Sequence, residues 1–266
     1  MTTLFLTNLL YLSGAICFVL GMRFLSAPDT ARKGNLVAAT GVFLATLGAL
    51  TEPISGAFSN LPWIIGGIAT GAGAGYYLAV KATPTSMPHL VSVLNGLGGA
   101  GAAVLGLAEI LLVYNGESAA SGGILIAIIF TITIGGVVFA GSLLAYARLE
   151  GHLEARSITL NRHDLVNYLL LTTTVVCGIF VYLQGGQGSS FWAAIFMLIA
   201  MVYGVSWIAP VETKDILLVV SLLNALSGLS TAGVGLIYDS RFLLIGGVLV
   251  GAAGITLTAI MCRTLN

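Results

Sequence analysis

The sequence predicts an all-α polytopic membrane protein with nine transmembrane helices, its N-terminus outside and its C-terminus cytoplasmic. Hydrophobic residues make up 58% of the 266 residues and charged residues only 8%, and the mean hydropathy is +1.03. This composition is unlike that of soluble domains. Nine apolar stretches each approach or exceed the ~20 helical residues that cross a bilayer. The distribution of basic residues is the third observation.

Turns that contain Pro, Gly, Asn or Asp lie in most of the gaps between the nine predicted spans, which we treat as one transmembrane domain. The first stretch lacks a basic segment before it and a clear cleavage site after it, so we interpret it as a retained helix. In chain order, the predicted spans are residues 4–24, 35–51, 61–80, 88–114, 122–147, 165–183, 191–209, 216–238 and 242–261. The predicted turns are 27–29, 52–53, 60–62, 83–85, 115–117, 184–186 and 209–210.

The charges predict the orientation of the chain. Ten Lys and Arg residues balance ten Asp and Glu residues, so the net charge indicates no nucleic-acid partner. Placing the N-terminus outside leaves only Arg241 on the outside, as the positive-inside rule requires. The inner basic residues are Arg23, Arg32, Lys33, Lys81, Arg148, Arg156, Arg162, Lys214 and Arg263.

The three cysteines lack the spacing of metal ligands or of a disulfide framework.

A G-x-G-x-x-G pattern at residues 96–101 lies inside the apolar fourth stretch. A dinucleotide-binding loop needs these glycines between a strand and a helix, and no βαβ pattern surrounds them. We therefore expect this chain to bind no nucleotide, and the spacing of the cysteines predicts no metal site. We interpret the mid-span glycines as close helix contacts. The glycines singled out for packing are Gly98, Gly99, Gly247, Gly251 and Gly254.

An internal repeat places two asparagines in equivalent positions. A shift of 129 residues aligns residues 92–99 with residues 221–228, and both have the pattern S-x-L-N-x-L-x-G. Asn95 and Asn224 occupy the same place in the fourth and eighth spans, which run in the same direction. An unpaired Asn in the membrane interior is costly, so we expect both side chains to bond each other, water or another helix.

Three other polar residues are candidates for a wet path along these spans. Glu109 follows Asn95 by 14 residues, close to four helical turns, so both lie on roughly one face. His89 lies at the inner end of the same span and can carry protons near neutral pH. Ser142 is a mid-span hydroxyl of the fifth stretch. The alternatives are an interhelical clamp for the asparagines, a solvated interfacial position for Glu109 and His89, and simple packing for Ser142.

Several stretches together resemble one family, the membrane domain of the proton-translocating NAD(P) transhydrogenase beta subunit. The resemblance covers essentially the whole chain and also includes the nine-span topology. The matching stretches are residues 31–35, 86–109, 141–151, 215–228 and 247–266.

The resemblance implies a proton-conducting subunit of an enzyme complex that moves hydride between NAD(H) and NADP(H). Both cofactors would be bound on partner domains. It also implies an NAD-binding alpha subunit with its own membrane helices, an NADP-binding soluble domain, a homodimeric complex and a bacterial inner membrane. Asn95 falls at a proton-path position that is His in many members, and Asn224 at a position linked to conduction. Asp215, Arg263 and Arg148 would couple this chain to the soluble domain.

The sequence departs from the family pattern at three places. Asn95 does not titrate, so the proton carrier would be water, a partner's helix, His89 or Glu109. Ser86 replaces an acidic residue that family members often have, and residues 216–217 replace a Met-Pro pair. We also expect the NADP-binding Rossmann domain of the family to lie outside these 266 residues.

Two other classes of function compete with this interpretation. A secondary transporter could be built on the internal repeat, but it would be expected to have Pro-interrupted half-helices at corresponding positions. A purely structural membrane anchor would leave the two repeated asparagines unexplained. The long charged loop after the fifth span could dock a soluble partner or be a solvated linker.

Overall fold

The structure is a computed structural model that describes residues 2–25, 27, 29–51, 57–83, 85–153, 159–160 and 162–265. Within these ranges the regular structure is helical, and nine helices are long and apolar enough to cross a membrane. They are α1 (Thr2–Leu25), α2 (Ala31–Thr51), α3 (Ala57–Lys81), α4 (Met87–Tyr114), α5 (Gly122–Leu149), α6 (His163–Gln184), α7 (Ser190–Ile208), α8 (Ile216–Ile237) and α9 (Arg241–Leu265). Short 3-10 helices cover Gly185–Gln187 and Thr213–Asp215.

The observed helices lie over the nine predicted spans, and no end differs by more than four residues. The turn predicted at residues 60–62 is wrong, because α3 continues through Pro62. Pro62 lies near the helix start, where its missing N–H removes a single backbone hydrogen bond. Of the other predicted turn residues, Pro28, Glu52, Pro53 and Pro84 lie outside the described residues.

The chain forms two compact units, Met1–Ala82 and Thr83–Asn266, here called the N-terminal unit and the C-terminal unit. In the C-terminal unit, α5 is the central helix and packs against α4, α7 and α8. Apolar side chains gather in two buried clusters, one around Ile110, Ile132 and Phe196 and one around Ile208 and Leu223. The buried polar residues of α4, α5 and α8 therefore lie among apolar side chains of neighbouring helices.

Bare glycines bring paired helices into backbone contact in the C-terminal unit. A Cβ at Gly99 would lie 2.8 Å from the carbonyl oxygen of Gly135, and one at Gly135 would lie 2.6 Å from that of Gly99. The α8–α9 hairpin repeats this contact between Gly228 and Gly247, at 2.8 and 2.6 Å. The repeat found in α4 and α8 therefore extends to the packing of complete helix hairpins.

The α1–α2 hairpin of the N-terminal unit has the same contact. A Cβ at Gly14 would lie 2.9 Å from the carbonyl oxygen of Gly41, and the reverse distance is 2.7 Å. A second close glycine follows seven residues later in each first helix, at Gly21, Gly106 and Gly235. Three helix hairpins thus share the same spacing of contact glycines, whereas the sequence repeat was detected only between the fourth and eighth spans.

Contacts in the C-terminal unit show which helix ends lie together. His89 pairs with Glu150, so the start of α4 and the end of α5 lie together. Glu109 accepts a hydrogen bond from Ser118 at the opposite end.

We predict that the end of α9 is protected from added protease in right-side-out vesicles and cleaved in inverted ones. The reason is that the inner loops would hold all basic residues except Arg241. Mass mapping of the cleaved fragments is the measurement. Cleavage in right-side-out vesicles alone would reverse the predicted orientation.

Candidate functional site

Asn95 lies deep in the C-terminal unit, where α4 crosses α8. Its side chain is 6% exposed, and its Nδ2 donates a hydrogen bond to the backbone carbonyl of Val220 at 3.2 Å. In α-helical geometry that carbonyl also accepts the backbone N–H of Asn224. Of the three partners expected from the sequence for Asn95, the structure shows another helix.

Asn224 lies one turn further along α8 and is half-buried. Among the described residues its side chain makes no hydrogen bond, and the two asparagines are not paired with each other. A half-buried amide without a protein partner in a membrane-spanning helix is a natural binding position for water.

Ser142 provides a second polar side chain without a hydrogen-bond partner among the described residues, close to where α4 crosses α8. Ser92 donates a hydrogen bond to the Ser142 backbone carbonyl at 2.9 Å. The Ser142 hydroxyl is buried and has no partner among the described atoms. Gly96 packs closely against this residue, because a Cβ there would lie 3.2 Å from the Ser142 Cβ. Water commonly satisfies such buried polar groups.

A line of polar residues continues from Asn224 along the face of α8 that meets α4. Ser227 and Thr231 follow Asn224 by three and seven residues, the spacing of one helix face. The Ser227 hydroxyl lies 2.8 Å from where a Cβ of Gly98 would be, and Thr231 donates to the Ser227 carbonyl. We call Asn95, Asn224, Ser227 and Thr231 the polar seam.

Glu109 lies beyond the Thr231 end of the polar seam and is half-buried. The Ser118 hydroxyl donates to its Oε1 at 2.8 Å. Tyr238 lies beside it, and burial, followed by the charge and hydrogen bonding of Glu109, raises the pKa of the Tyr238 phenol. Tyr238 is also the residue that the 129-residue repeat aligns with Glu109. That alignment was available in the sequence and would have identified Tyr238.

His89 lies near the opposite end of α4 and is partly exposed. Its Nδ1 lies 3.1 Å from Oε1 of Glu150, the residue that follows α5. Sequence analysis singled out His89 but gave no separate role to Glu150. The structure therefore places an imidazole and a carboxylate in contact at this end of α4.

The three residues predicted to couple the chain to a soluble domain occupy different environments. Arg148 is 2% exposed, and its Nη2 donates to the carbonyl of Ala209 beyond the end of α7. Its Nε and Nη1 have no hydrogen-bond partner in the described part of the chain. Asp215 is the N-cap position of α8 and makes no side-chain capping bond, and Arg263 is exposed in the last turn of α9. Their coupling role stays a prediction.

The glycines chosen for helix packing all lie at helix contacts. Gly98 and Gly99 face α8 and α5 as described above. On α9, a Cβ at Gly247 or Gly254 would lie within 2.8 Å of α8 atoms, and one at Gly251 would lie 3.3 Å from the side chain of Leu229. The amide groups of Gly96–Gly101 belong to the middle of α4, so the glycine pattern does not form a loop.

The charged loop after α5 is fixed where it joins α6. His163 is 9% exposed, its Nε2 lies 2.8 Å from the Ser206 carbonyl, and Leu160 N–H donates to its Nδ1. These two contacts assign the proton of the neutral imidazole to Nε2. Glu154 and Arg156 of this loop lie outside the described residues. Docking of a partner here stays a prediction.

Comparison with known proteins identifies what the chain resembles. The sequence model of the NAD(P) transhydrogenase beta subunit family matches residues 7–266. Two curated relatives, from Rhodospirillum rubrum and from a strain of that species, are each named NAD(P) transhydrogenase subunit beta. Each is 31% identical to this chain over 269 residues, which cover 98% of this chain and 56% of the relative. The chain spans about half the length of these relatives.

Proposed function

Because this chain belongs to the NAD(P) transhydrogenase beta subunit family, we propose that it is the proton-conducting membrane part of a transhydrogenase complex. That complex would couple hydride transfer between NAD(H) and NADP(H) to proton translocation. One observation supports this proposal most directly. The polar seam runs from the level of the two asparagines to Thr231, toward the end of α4 that carries Glu109. His89 with Glu150 lies at the other end of α4.

The length of α4 fits a path across a membrane. His89 and Glu109 are 20 residues apart, which corresponds to about 30 Å of helix, close to the ~30 Å thickness of the hydrocarbon core. Titratable side chains therefore lie at both edges of the apolar layer. Between them, the described part of the seam has amides and hydroxyls, which do not titrate near neutral pH but can bind water.

In this mechanism the residues of the chain orient water rather than carry the proton at mid-membrane. His89 and Glu150 take up or release a proton at one end. Ser142 and Asn95 hold water at the α4–α5–α8 crossing, and Asn224 and Ser227 continue the hydrogen-bonded line on α8. The proton leaves or enters at the Glu109 end.

The nucleotides and partners are part of the same proposal. NAD and NADP would be bound on partner domains, since no phosphate-binding loop is available at residues 96–101. We propose that an NADP-binding domain docks at the end of the C-terminal unit that has Asp215 and Arg263. An NAD-binding alpha subunit with its membrane helices, homodimeric assembly and a bacterial inner membrane complete the proposal.

The test uses proteoliposomes that contain this chain with its NAD- and NADP-binding partners. Intravesicular pH is followed while NADPH reduces an NAD analogue. The expected result is a pH change that accompanies hydride transfer and that a protonophore collapses while the reaction accelerates. Hydride transfer without any pH change, or no transfer despite confirmed assembly, would refute the proposal and make solute transport the next function to test.

We predict that Asn224→Leu abolishes proton movement but leaves the protein assembled in the membrane. The Asn224 side chain has no hydrogen-bond partner among the described residues, so its loss breaks no protein contact there, whereas leucine removes a water-binding amide from the seam. Proton movement and extractable protein are measured in the same vesicles.

Thr256→Leu is the matched control for this substitution. Thr256 is exposed on α9 and donates to the Ala252 carbonyl of its own helix, so this change should leave proton movement intact. Normal coupling in Asn224→Leu would remove Asn224 from the path.

A further inference from the structure

We propose that Glu109, held by Ser118 and lying beside Tyr238, exchanges protons with the aqueous phase at the end of α4 opposite to His89. This inference rests on the proposed function and gives one end of the path a defined carboxyl group with two hydroxyl neighbours. Ser118 and Tyr238 are positioning residues, and Glu109 is the group that takes up and releases the proton.

The loop after α4 is folded so that its hydroxyl reaches Glu109. Gly116 has a φ of +73°, which favours glycine and turns the chain back on the helix. The N–H groups of Glu117 and Ser118 donate to the carbonyl of Leu112, at 2.9 and 3.2 Å. These bonds hold the Ser118 hydroxyl 2.8 Å from the Glu109 carboxylate.

The α8–α9 turn brings a second hydroxyl to the same carboxylate. Tyr238 caps α8, and Asp239 adopts a φ of +51°, so the chain reverses within three residues. Ser240 N–H donates to the Gly235 carbonyl at 2.9 Å and fixes this turn. Tyr238 lies close enough to Glu109 for the carboxylate to raise the pKa of the phenol, after the larger effect of burial. Two hairpin connections therefore converge on one carboxyl group.

The partial exposure of Glu109 allows its carboxyl group to contact bulk water on one side and to face the polar seam on the other. Glu109 is half-buried, and Tyr238 is 45% exposed. Glu109 follows Asn95 by 14 residues on approximately the same face of α4, so it lies beyond the Thr231 end of the seam. A partly buried carboxylate with hydrogen-bond donors is suited to reversible proton exchange.

Besides Glu109 and Tyr238, the titratable groups near this end of α4 include Tyr114, Glu117, Asp239 and Arg241. Tyr114 is nearest in sequence, and its hydroxyl is 3.5 Å from Oε1 of Gln184. Glu117, Asp239 and Arg241 form no ion pair among the described residues. The first four turns of α5 contain no titratable side chain.

The proposed step conserves charge and needs no other reactant. A hydronium ion or water at the membrane surface donates a proton to the Glu109 carboxylate and forms the neutral carboxylic acid. The O–H bond of that acid then breaks as the proton passes to water in the polar seam, and the carboxylate regains its hydrogen bond from Ser118. The reverse sequence releases a proton.

The first experiment is an infrared pH titration of the assembled complex in vesicles. We expect a carboxylic acid band that appears reversibly as the pH falls, is lost in Glu109→Gln and is retained in Glu117→Gln. Glu117→Gln is the matched control because it removes an acid from the neighbouring loop. Ser118→Ala should move this band to higher frequency, because it removes the hydroxyl that bonds to the Glu109 carboxyl group.

The second experiment measures proton movement driven by hydride transfer in the same variants. Glu109→Gln should reduce the rate by about tenfold or more, within the range of one acid–base group, and added formate or azide should restore part of it. Glu117→Gln should match the unmodified complex. Rescue by a small weak acid separates proton exchange from a purely structural role.

The outcomes separate this inference from the proposed function. If the unmodified complex moves protons and Glu109→Gln does so at the same rate, Glu109 is not the exchange group and the proposed function stands. A Glu109→Gln defect that no weak acid relieves, with no band lost in the infrared titration, also overturns the inference. If the unmodified complex transfers hydride without moving protons, the proposed function fails and this inference fails with it.

Discussion

Gly99→Val is expected to prevent stable packing of the C-terminal unit. A Cβ at residue 99 would lie 2.8 Å from the Gly135 carbonyl oxygen, 2.8 Å from a Val138 methyl and 2.9 Å from the Phe139 nitrogen. Two of these atoms are backbone and cannot move aside without separating α4 from α5. Overpacking of this kind costs about 1–3 kcal/mol and occasionally more, and valine adds two methyl groups beyond the Cβ.

The measurement is the thermal stability and the monodisperse fraction of the protein after extraction in mild detergent. Gly101→Val is the matched control, because residue 101 lies two positions further along α4 and has no atom within 4 Å of a Cβ. It should remain close to the unmodified protein. Equal loss in both variants would mean that helix propensity rather than the α4–α5 contact determines the effect.

The same geometry explains why the glycine pattern resembles a nucleotide-binding loop without being one. Gly96 and Gly99 face α5, Gly98 faces α8, and Gly101 faces open space. In lipid, where apolar burial does not drive helix association, close backbone approach through small residues supplies the packing. The pattern therefore reflects two helix contacts on different sides of α4.

Sequence periodicity was sufficient for the helices and for the two asparagines. Apolar length alone located nine spans, because a helix that crosses lipid must satisfy all its backbone hydrogen bonds internally. The repeat placed Asn95 and Asn224 in equivalent positions, and the parallel course of α4 and α8 agrees with it: Asn95 meets Val220, Gly98 meets Ser227 and Glu109 meets Tyr238.

The remaining features depend on contacts that a single sequence does not express. The α1–α2 hairpin shares the glycine register, but Leu10 stands where the other two hairpins have Asn, so the polar signature that revealed the repeat is missing. Ser118 reaches Glu109 only because the loop folds back on α4. The burial of Arg148 follows from the position of α7 and cannot be inferred from its place near a helix end.

Asn95→Leu is expected to reduce proton movement by about tenfold or more, which corresponds to ~1.4 kcal/mol or more in the barrier. Leucine removes the bond from Nδ2 to the Val220 carbonyl and fills the same volume with apolar atoms. Water next to Ser142 would then lose a polar neighbour. Hydride-driven pH change in proteoliposomes is the measurement, with protein amount and assembly determined in parallel.

Asn95→Ala provides the decisive comparison, because both substitutions remove the amide but only leucine fills its space. If Asn95 serves by holding water, alanine leaves room for a water molecule beside the unpaired Ser142 hydroxyl and should retain clearly more proton movement than leucine. If the amide itself must bond α8, both variants should lose activity equally. Greater activity in Asn95→Leu than in Asn95→Ala would contradict both accounts and place the proton path elsewhere. Since an asparagine side chain does not titrate, this order of activities tests whether water carries the proton at mid-membrane.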